Sequence, residues 1–503
     1  MTACVHSAAL SGIDAIIIQT ETRITAGVQY FIVGLPDESV KESLVRVESA
    51  MSASDFSMPR QKIVISMAPA GIRKQGALFD LPIALSILAA SGQLKTKSLS
   101  KYIFVGELSL TGKLRPAKSV LAMALEAKTQ GFRGFILPDE NAKEASLVSG
   151  LEIFGFTELN SVVDFLNGKT KLKGLKSTVH GSKEIIDDRC DLDFLDVIGQ
   201  QQIKRAMEIA AAGNHNIIMV GSPGSGKTMI SRRLPTILPM LTLNQALETR
   251  KIYAIADKLE QDVLTFQPPF RSPHHTCSEI AIIGGGLPVM PGEISLAHNG
   301  VLFLDELPEF ERRVLEVLRQ PLEERKVTIS RASYNVTLPA EFLLIAAMNP
   351  CPCGYYLLPE RKCCCSQQSI RRYLNKLSGP LLERFDLHVH VAPVVYQPDH
   401  ATQAETSAVI LDRVKKARLI QLDRQSYTNN NLTVKQLKNH CQLSSNDQSI
   451  LYAALEKYKL SARSHERILK VARTIADLDE KENICFRHLS EAIDLRCIDQ
   501  NYF

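Results

Sequence analysis

The first 167 residues switch repeatedly between two hydrophobic spacings. Short apolar runs predict strands at residues 15–19, 28–33, 62–67, 102–105 and 134–137. Apolar residues at intervals of three and four predict helices at residues 37–50, 81–90 and 117–129. Because strands and helices are interleaved, this part of the chain is expected to fold as a compact α/β domain.

The remainder of the chain divides into three further stretches. Residues 168–192 begin with a basic, glycine-containing run without apolar periodicity, which is typical of a linker. Residues 193–396 combine strongly apolar strand candidates with helical patterns, which predicts a second α/β core. Residues 397–503 show helical spacing throughout and predict a helical lid, with one helix starting from a capping box at Ser445.

Composition sets broad limits on the kind of protein. The chain has 503 residues, which suggests about two to four domains, and its net charge of +5 is compatible with a polyanionic partner without indicating one. No apolar run approaches the roughly 18–20 residues that cross a bilayer, and the N-terminus lacks the features of a signal peptide. We therefore expect a cytoplasmic protein with no membrane partner.

A glycine-rich loop follows the apolar strand predicted at residues 216–220 and precedes a helix candidate. The loop consists of Gly221, Ser222, Pro223, Gly224, Ser225, Gly226, Lys227 and Thr228. Strand, loop and helix in this order form a phosphate-binding loop, because the glycines let backbone N–H groups turn inward around phosphates. Lys227 is expected to contact the β and γ phosphates of ATP, and the hydroxyl of Thr228 to bind Mg²⁺.

Two further apolar strands end in polar side chains suited to phosphoryl transfer. Asp305 and Glu306 follow the strand at residues 301–304, about 80 residues after the glycine-rich loop. Asp305 is expected to hold Mg²⁺, directly or through water, and Glu306 to polarise the attacking water. Asn349 follows the strand at residues 342–348 and is placed to orient that water. The alternative is that these are ordinary polar residues where strands end.

Arginines that lie outside the glycine-rich loop, near the end of the core and in the lid, are candidates for further contacts with a nucleotide. Arg384 follows a Gly-Pro break and could reach a neighbouring subunit's nucleotide, where it would neutralise charge in the transition state. A surface salt bridge is the alternative for this arginine. In the lid, Arg463 is a second arginine that could contact a nucleotide. Arg467 and Arg473 are alternatives to Arg463 for this contact.

Five of the eleven cysteines fall in an insertion at residues 350–366. Four of them form two Cys-x-Cys pairs separated by nine residues: Cys351, Cys353, Cys363 and Cys365. Four thiolates at this spacing suit a tetrahedral structural Zn²⁺, with free thiols in a loop as the alternative. Four cysteine ligands leave no open position for water, so this site is not expected to be catalytic.

A pair of histidines, His274 and His275, also raises the question of a metal. Adjacent side chains rarely converge on one ion. We therefore expect these two residues to have a structural or loop-packing role.

Several longer motifs resemble those of a known family. They are FRSPHHT (270–276), PGEISLAHNGVLFLDE (291–306), AMNPCPCG (347–354), SGPLLERFDLH (378–388), FIVGLPD (31–37) and FDLPIA (79–84). Together they resemble the magnesium-chelatase-like AAA+ ATPases and, more narrowly, the YifB/ComM family. The resemblance covers essentially the whole chain.

The resemblance implies a homo-hexameric ring, driven by ATP and Mg²⁺, that acts as a DNA helicase. Members of the ComM type promote branch migration while incoming DNA is integrated during natural transformation, which implies single-stranded and branched DNA as partners. By the same resemblance, Asn349 corresponds to sensor 1, Arg384 to the arginine finger and Arg463 to sensor 2.

Similarity to helicase rings also assigns two elements to a central pore. Residues 327–340 are expected to form a β-hairpin before the sensor strand, with Arg331 near its tip in contact with DNA phosphates. Residues 282–286, which include Gly285, would form the other pore insertion, where glycines permit close approach to a DNA backbone. The alternative for both elements is an ordinary surface loop.

The N-terminal domain resembles the ribosomal-S5-type fold shared with the protease domain of Lon. Leu78 and Leu121 occupy the positions at which Lon-type proteolysis needs a serine and a lysine, so the domain is expected to be non-proteolytic. Its role is expected to be assembly or DNA handling. Lys74 is expected to be a solvated surface charge rather than a DNA contact.

Two other functions compete with a DNA helicase. A magnesium-chelatase motor powers metal insertion into a porphyrin, but its small ATPase subunit normally lacks such an N-terminal domain. A protein-remodelling AAA+ ATPase would need an aromatic pore loop, and residues 282–286 contain no aromatic side chain.

Overall fold

The structure is a computed structural model that describes residues 2–96, 98–175, 192–258, 264–286, 289–331, 334–356, 361–393 and 405–496. Most of the predicted linker, residues 176–191, lies outside the described residues. The chain forms two compact units, the first comprising Met1–Ile185 with Arg250–Leu264 and the second comprising Ile186–Thr249 with Thr265–Phe503. The finer predicted boundaries, 1–167, 193–396 and 397–503, stay predictions.

The described part of the N-terminal unit contains nine strands. They are β1 Thr2–Ser11, β2 Asp14–Thr25, β3 Tyr30–Val33, β4 Lys62–Ala68, β5 Tyr102–Phe104, β6 Glu107–Leu108, β7 Leu114–Arg115, β8 Gly134–Pro138 and β9 Glu152–Phe156. Seven of them form one mixed sheet in the order β3-β4-β2-β1-β5-β8-β9, while β6 pairs with β7. All five predicted strands are present, but the sequence interpretation missed β1, β9 and the short pair β6 and β7.

The helices of this unit pack on the sheet through apolar faces. They are α1 Glu38–Ala53, α2 Asp80–Ala90, α3 Val120–Thr129, α4 Asp139–Ala145 and α5 Leu159–Leu166. Helix α2 is buried at ten of its eleven positions, which explains its nearly continuous apolar sequence. Its buried carboxylate, Asp80, accepts hydrogen bonds of 2.8 and 3.1 Å from the guanidinium of Arg46. The pair shows how this core accommodates a charge.

Lys74 differs from the sequence prediction. Its side chain is fully buried, and its ammonium donates to the carbonyl oxygen of Pro69. The prediction of a solvated surface charge was therefore wrong, because the loop that contains this lysine folds over it. Burial also lowers the pKa of Lys74.

The described part of the second unit also contains nine strands. They are β10 Ile217–Gly221, β11 Phe270–Arg271, β12 Gly284–Gly285, β13 Met290–Pro291, β14 Gly300–Leu304, β15 Lys326–Arg331, β16 Tyr334–Pro339, β17 Phe342–Met348 and β18 Leu387–Val391. Five of them form a parallel sheet in the order β11-β14-β17-β10-β18. Strands β10, β14 and β17 are buried along their whole length, as expected when helices cover both faces of a parallel sheet.

The other described helices follow in chain order. They are α6 Gln201–Gly213, α7 Lys227–Arg233, α8 Leu243–Ile255, α9 Glu279–Ile283, α10 Glu293–Leu296, α11 Arg312–Val317, α12 Arg319–Glu324, α13 Gln367–Leu374, α14 Gly379–Leu382, α15 Ser407–Gln425, α16 Val434–His440, α17 Ser445–Lys457, α18 Ala462–Leu478 and α19 Phe486–Asp494. Helix α17 starts at Ser445, but its cap is Ser444, whose side chain accepts from the N–H of Asp447. The predicted capping residue was therefore wrong by one position.

The C-terminal helices share one hydrophobic core with the parallel sheet. Buried residues of α15 and α18, such as Val414 and Ala472, belong to the same cluster as Ile217 of β10 and Ala210 of α6. The predicted layout of an α/β core followed by a helical region is confirmed. Within the described part of the chain, no helix has both the length and the apolar character needed to span a bilayer.

Candidate nucleotide site and cysteine cluster

The glycine-rich loop leaves the carboxyl end of β10 and leads directly into α7. Gly224 and Gly226 have φ angles of +77° and +88°, in the left-handed region where a Cβ is strained. The loop therefore needs glycine at these two positions to follow its path. This is the strand, loop and helix arrangement that the sequence predicts for a phosphate site.

The side chain of Lys227 is buried inside this loop. Its Nζ donates hydrogen bonds of 2.8 Å to the carbonyl oxygens of Gly221 and Ser222. Burial lowers the pKa of Lys227 to about 8, although the carboxylates of Asp305 and Glu306 act in the opposite direction. A phosphate beside this amine would favour its protonated form, so the charge of Lys227 is sensitive to an anionic ligand.

Asp305 and Glu306 follow the carboxyl end of β14, beside the loop. Oδ2 of Asp305 accepts a 2.6 Å hydrogen bond from the hydroxyl of Thr228, and its Oδ1 accepts one of 2.9 Å from the N–H of Glu306. The structure thus brings together the two residues predicted to bind Mg²⁺, which prefers such oxygen ligands. Glu306 itself is exposed and can contact water.

His275 contacts Glu306, a relationship that the sequence interpretation missed. Nδ1 of His275 lies 3.3 Å from Oε2 of Glu306. The two residues are far apart in sequence, and only the position of His275 after β11, which neighbours β14, could have suggested the contact. His275 therefore holds the carboxylate that is predicted to polarise water, in addition to the packing role expected for it.

Asn349 follows the carboxyl end of β17, which lies between β14 and β10 in the sheet. Its Oδ1 is 3.3 Å from Nζ of Lys227. Tyr373, from α13, is buried beside Asn349: burial raises the pKa of its hydroxyl, and the backbone of Asn349 acts in the opposite direction. Lys227, Asp305 and Asn349 therefore meet at the carboxyl edge of one parallel sheet, as their strands predict.

Arg384 lies at the opposite, amino edge of the same sheet. Its carbonyl oxygen accepts a 3.1 Å hydrogen bond from Nδ2 of Asn216, the residue that precedes β10. Its guanidinium is held within the subunit by Glu323 at 2.5 Å and by the carbonyl oxygen of Arg319 at 3.2 Å. The five residues of β10, roughly 16 Å, thus separate Arg384 from the glycine-rich loop of its own chain.

The three lid arginines have different environments. Arg473 is 2% exposed and donates to Asp477, so it is part of the core and not free to meet a nucleotide. Arg467 donates to the buried carboxylate of Asp386, whereas Arg463 is exposed and lies 3.4 Å from Glu383. Arg463 and Arg467 line one cavity of about 450 Å³ together with Arg384. The predicted sensor-2 and finger arginines are therefore neighbours.

The four predicted zinc ligands converge. The Sγ atoms of Cys351, Cys353, Cys363 and Cys365 all lie within 4.8 Å of one another. Individual Sγ–Sγ distances of 3.3, 3.5 and 3.7 Å are close to the roughly 3.8 Å expected between thiolates bound tetrahedrally to one zinc ion. The exposed Cys364 is outside the cluster. The donor set therefore fits a closed structural Zn²⁺ site.

The two predicted pore elements have the expected local structure. Strands β15 and β16 form an antiparallel hairpin in which Arg331 is paired with Tyr334 at the turn end. Gly285 belongs to the short strand β12, which pairs with β13. Their contact with DNA remains a prediction.

Three family models match different parts of the chain. The family model described as "Magnesium chelatase, subunit ChlI" matches residues 193–398, "Subunit ChlI of Mg-chelatase" matches residues 20–141, and "Magnesium chelatase, subunit ChlI C-terminal" matches residues 404–496. Together these models cover both units of the structure.

Full-length relatives are also found. The chain is 45% identical to "Competence protein ComM" of Haemophilus influenzae, over 99% of this chain and 97% of the relative. It is 43% identical to "Uncharacterized protein YifB" of Escherichia coli over the same shares. A more distant similarity, 23% identity over 56% of this chain and 30% of the relative, is to "DNA replication licensing factor mcm6" of Schizosaccharomyces pombe.

Proposed function

The chain belongs to the YifB/ComM family of magnesium-chelatase-like AAA+ proteins, and from that membership we propose that it is an ATP-driven ring motor acting on DNA. The proposed activity is hexameric translocation that migrates branches of recombination intermediates, as in natural transformation. The partners are single-stranded and branched DNA, and the cofactors are ATP and Mg²⁺, with a structural Zn²⁺ in the cysteine cluster.

The main support for the proposal is that the predicted catalytic groups lie at two opposite edges of one sheet. The glycine-rich loop, Asp305 and Asn349 are at the carboxyl edge, and Arg384 is at the amino edge. A chain with this arrangement completes its site when the amino edge of one copy meets the carboxyl edge of the next. Head-to-tail contacts of this kind form a ring when the rotation between successive copies closes, so the arrangement is compatible with a ring assembly.

The residues at the carboxyl edge divide the chemistry of hydrolysis among them. Lys227 and the backbone N–H groups of the glycine-rich loop would bind the phosphates of ATP, and Thr228 and Asp305 would hold Mg²⁺, which neutralises developing charge. Glu306 would accept a proton from the attacking water while Asn349 orients it. Arg384 of a neighbouring copy, with Arg463 beside it, would neutralise charge on the transferred phosphoryl group.

Support for DNA as the partner comes from the hairpin, the glycine insertion and the relatives. The β15–β16 hairpin carries Arg331 at its turn end, and the glycine insertion contains Gly285, which is buried where β12 pairs with β13. The similarity to a relative named as a DNA replication factor points in the same direction. Phosphate contacts at these elements would bind DNA without reading its sequence.

Two other functions stay as alternatives. A magnesium-chelatase-type motor is favoured by the descriptions of the matching family models. A protein-remodelling ATPase would use the same ATP chemistry but needs an aromatic pore loop, and residues 282–286 contain no aromatic. Both alternatives would use the same nucleotide site, and they differ from the proposed DNA motor only in the partner.

The test is ATP-dependent branch migration on a labelled three-strand junction, with Lys227→Ala as the inactive control. Migration by the unmodified protein alone would support a DNA motor. Absence of migration by an assembled ring that hydrolyses ATP would reject DNA and favour one of the alternatives. Failure of both hydrolysis and assembly would reject the proposed motor itself.

A further inference from the structure

Helix α13, Gln367–Leu374, has one buried face and one strongly basic face. Ile370 and Tyr373 point into the core, whereas Arg371 and Arg372 are exposed on the last turn. The helix begins two residues after Cys365, and the side chain of Ser366 caps it by accepting from the N–H of Ser369. The cysteine cluster therefore fixes the start of a helix whose outer face carries positive charge.

The basic face continues onto a neighbouring helix. Side chains from α11 and α13 and the residues that follow line a depression of about 410 Å³: Arg312, Gln368, Arg371, Arg372, Asn375 and Lys376. Lys376 lies 3.6 Å from Glu309, but the ion pairs formed by the described residues do not include Arg371 or Arg372. Within the described part of the chain, the guanidinium groups of Arg371 and Arg372 therefore form no ion pair, and they lie next to two neutral amides that can donate hydrogen bonds.

This set of donors matches a phosphodiester backbone. Arginine binds phosphate oxygens bidentately and stays charged, while Gln and Asn commonly contact phosphates and sugars without selecting a base. We propose that this surface, the α13 basic face, is a DNA-backbone contact separate from the β15–β16 hairpin. This contact rests on the proposed function, because it requires DNA to be the partner of the protein.

The buried side of the same helix reaches the nucleotide site. Buried Tyr373 lies close enough to the backbone of Asn349 for that backbone to lower the pKa that burial raises, and Oδ1 of Asn349 is 3.3 Å from Nζ of Lys227. The helix that carries the α13 basic face therefore has its buried side next to the residue predicted to orient water.

The experiment compares full-length Arg371→Gln/Arg372→Gln with Lys435→Gln/Lys438→Gln. The second pair removes the same charge from exposed positions of α16. The dissociation constant for a fluorescein-labelled oligo(dT) is measured by anisotropy across a salt series, and ring assembly is measured by mass photometry. Loss of two phosphate contacts is expected to reduce the slope of log affinity against log salt by about 1.4. The α16 variant should keep the slope of the unmodified protein.

The outcomes separate this proposal from the proposed function. If the unmodified protein binds DNA and the α13 variant keeps both its slope and its affinity, the α13 contact is rejected and the DNA motor stands. If the unmodified protein binds no DNA, the proposed function fails, and this contact fails with it. If the α13 variant no longer assembles, the face is a contact between subunits, which also overturns the proposal. Arg371→Lys/Arg372→Lys should retain the salt slope, because the charge is preserved.

Discussion

Gly354 lies directly against Pro223, so the cysteine loop touches the glycine-rich loop. A Cβ on Gly354 would come within 2.4 Å of Cδ of Pro223, and the φ of Gly354 is +85°. The N–H of Gly354 also donates a 2.9 Å hydrogen bond to the carbonyl oxygen of Cys351. The loop that carries the predicted metal ligands therefore packs Gly354 against the ring of Pro223 so closely that a side chain at position 354 would clash.

Gly354→Ala is expected to weaken nucleotide binding. The added methyl group displaces Pro223 of the glycine-rich loop, and a loss of about 1.4 kcal/mol of binding free energy would lower the affinity for a fluorescent ATP analogue about tenfold. Gly150→Ala is the matched control, since Gly150 has a φ of +86° but its nearest contact is the flexible Lys128 side chain at 3.7 Å. Equal nucleotide affinity in the two variants would show that the contact between the loops has no role in binding.

Nucleotide binding should take up a proton at alkaline pH. Burial lowers the pKa of Lys227 to about 8, so this amine loses its proton as pH rises through that value. Bound phosphates favour the ammonium form, which means that binding at pH 8.5 restores the proton and binding at pH 6.5 does not. Affinity for MgATP should accordingly fall above pH 8, by up to about tenfold per pH unit.

Calorimetry in buffers of different ionisation enthalpy measures this uptake. Lys227→Arg is the control, because a guanidinium stays charged over the whole range and should remove the uptake at pH 8.5. Equal proton uptake by the two proteins at pH 8.5 would assign the titration to another group.

The cysteine cluster should contain about one zinc ion per chain. Elemental analysis of purified protein is expected to find this metal in the unmodified chain and in Cys364→Ser, whose thiol is exposed and outside the cluster. Cys351→Ser/Cys353→Ser removes two of the four converging thiols and should lose the metal. Purified protein without near-stoichiometric metal would leave the four residues as reduced thiols.

The glycine-rich loop and the strand-end carboxylates could be recognised from sequence because their signals are local. A strand, a glycine-rich loop and Lys227 are consecutive, and Asp305 directly follows an apolar run. Parallel pairing then places strand ends at one edge, which explains why Asn349 also meets Lys227.

The contacts that the sequence interpretation missed depend on the path of the folded chain. His275 reaches Glu306 only because β11 and β14 are neighbours, and Lys74 is buried because its own loop folds over it. Each side chain has a polar, surface-like type, and no spacing rule separates it from solvated residues. The proximity of Arg384 and Arg463 likewise follows from the docking of α18 on the amino edge of the sheet.

Arg384 is expected to act on the nucleotide of a neighbouring subunit, because β10 separates it from its own loop. Arg384→Ala should retain binding of an ATP analogue, but its ATP turnover should fall about a thousandfold. Arg487→Ala, which removes an exposed arginine on α19, should retain its turnover.

Mixing Arg384→Ala with Lys227→Ala protein provides the decisive measurement. In random mixed rings about one interface in four combines an intact Lys227 with an intact Arg384 from the next subunit, so part of the turnover should return. If assembled mixed rings stay inactive, Arg384 serves only its own subunit, and the division of the site between two chains is wrong.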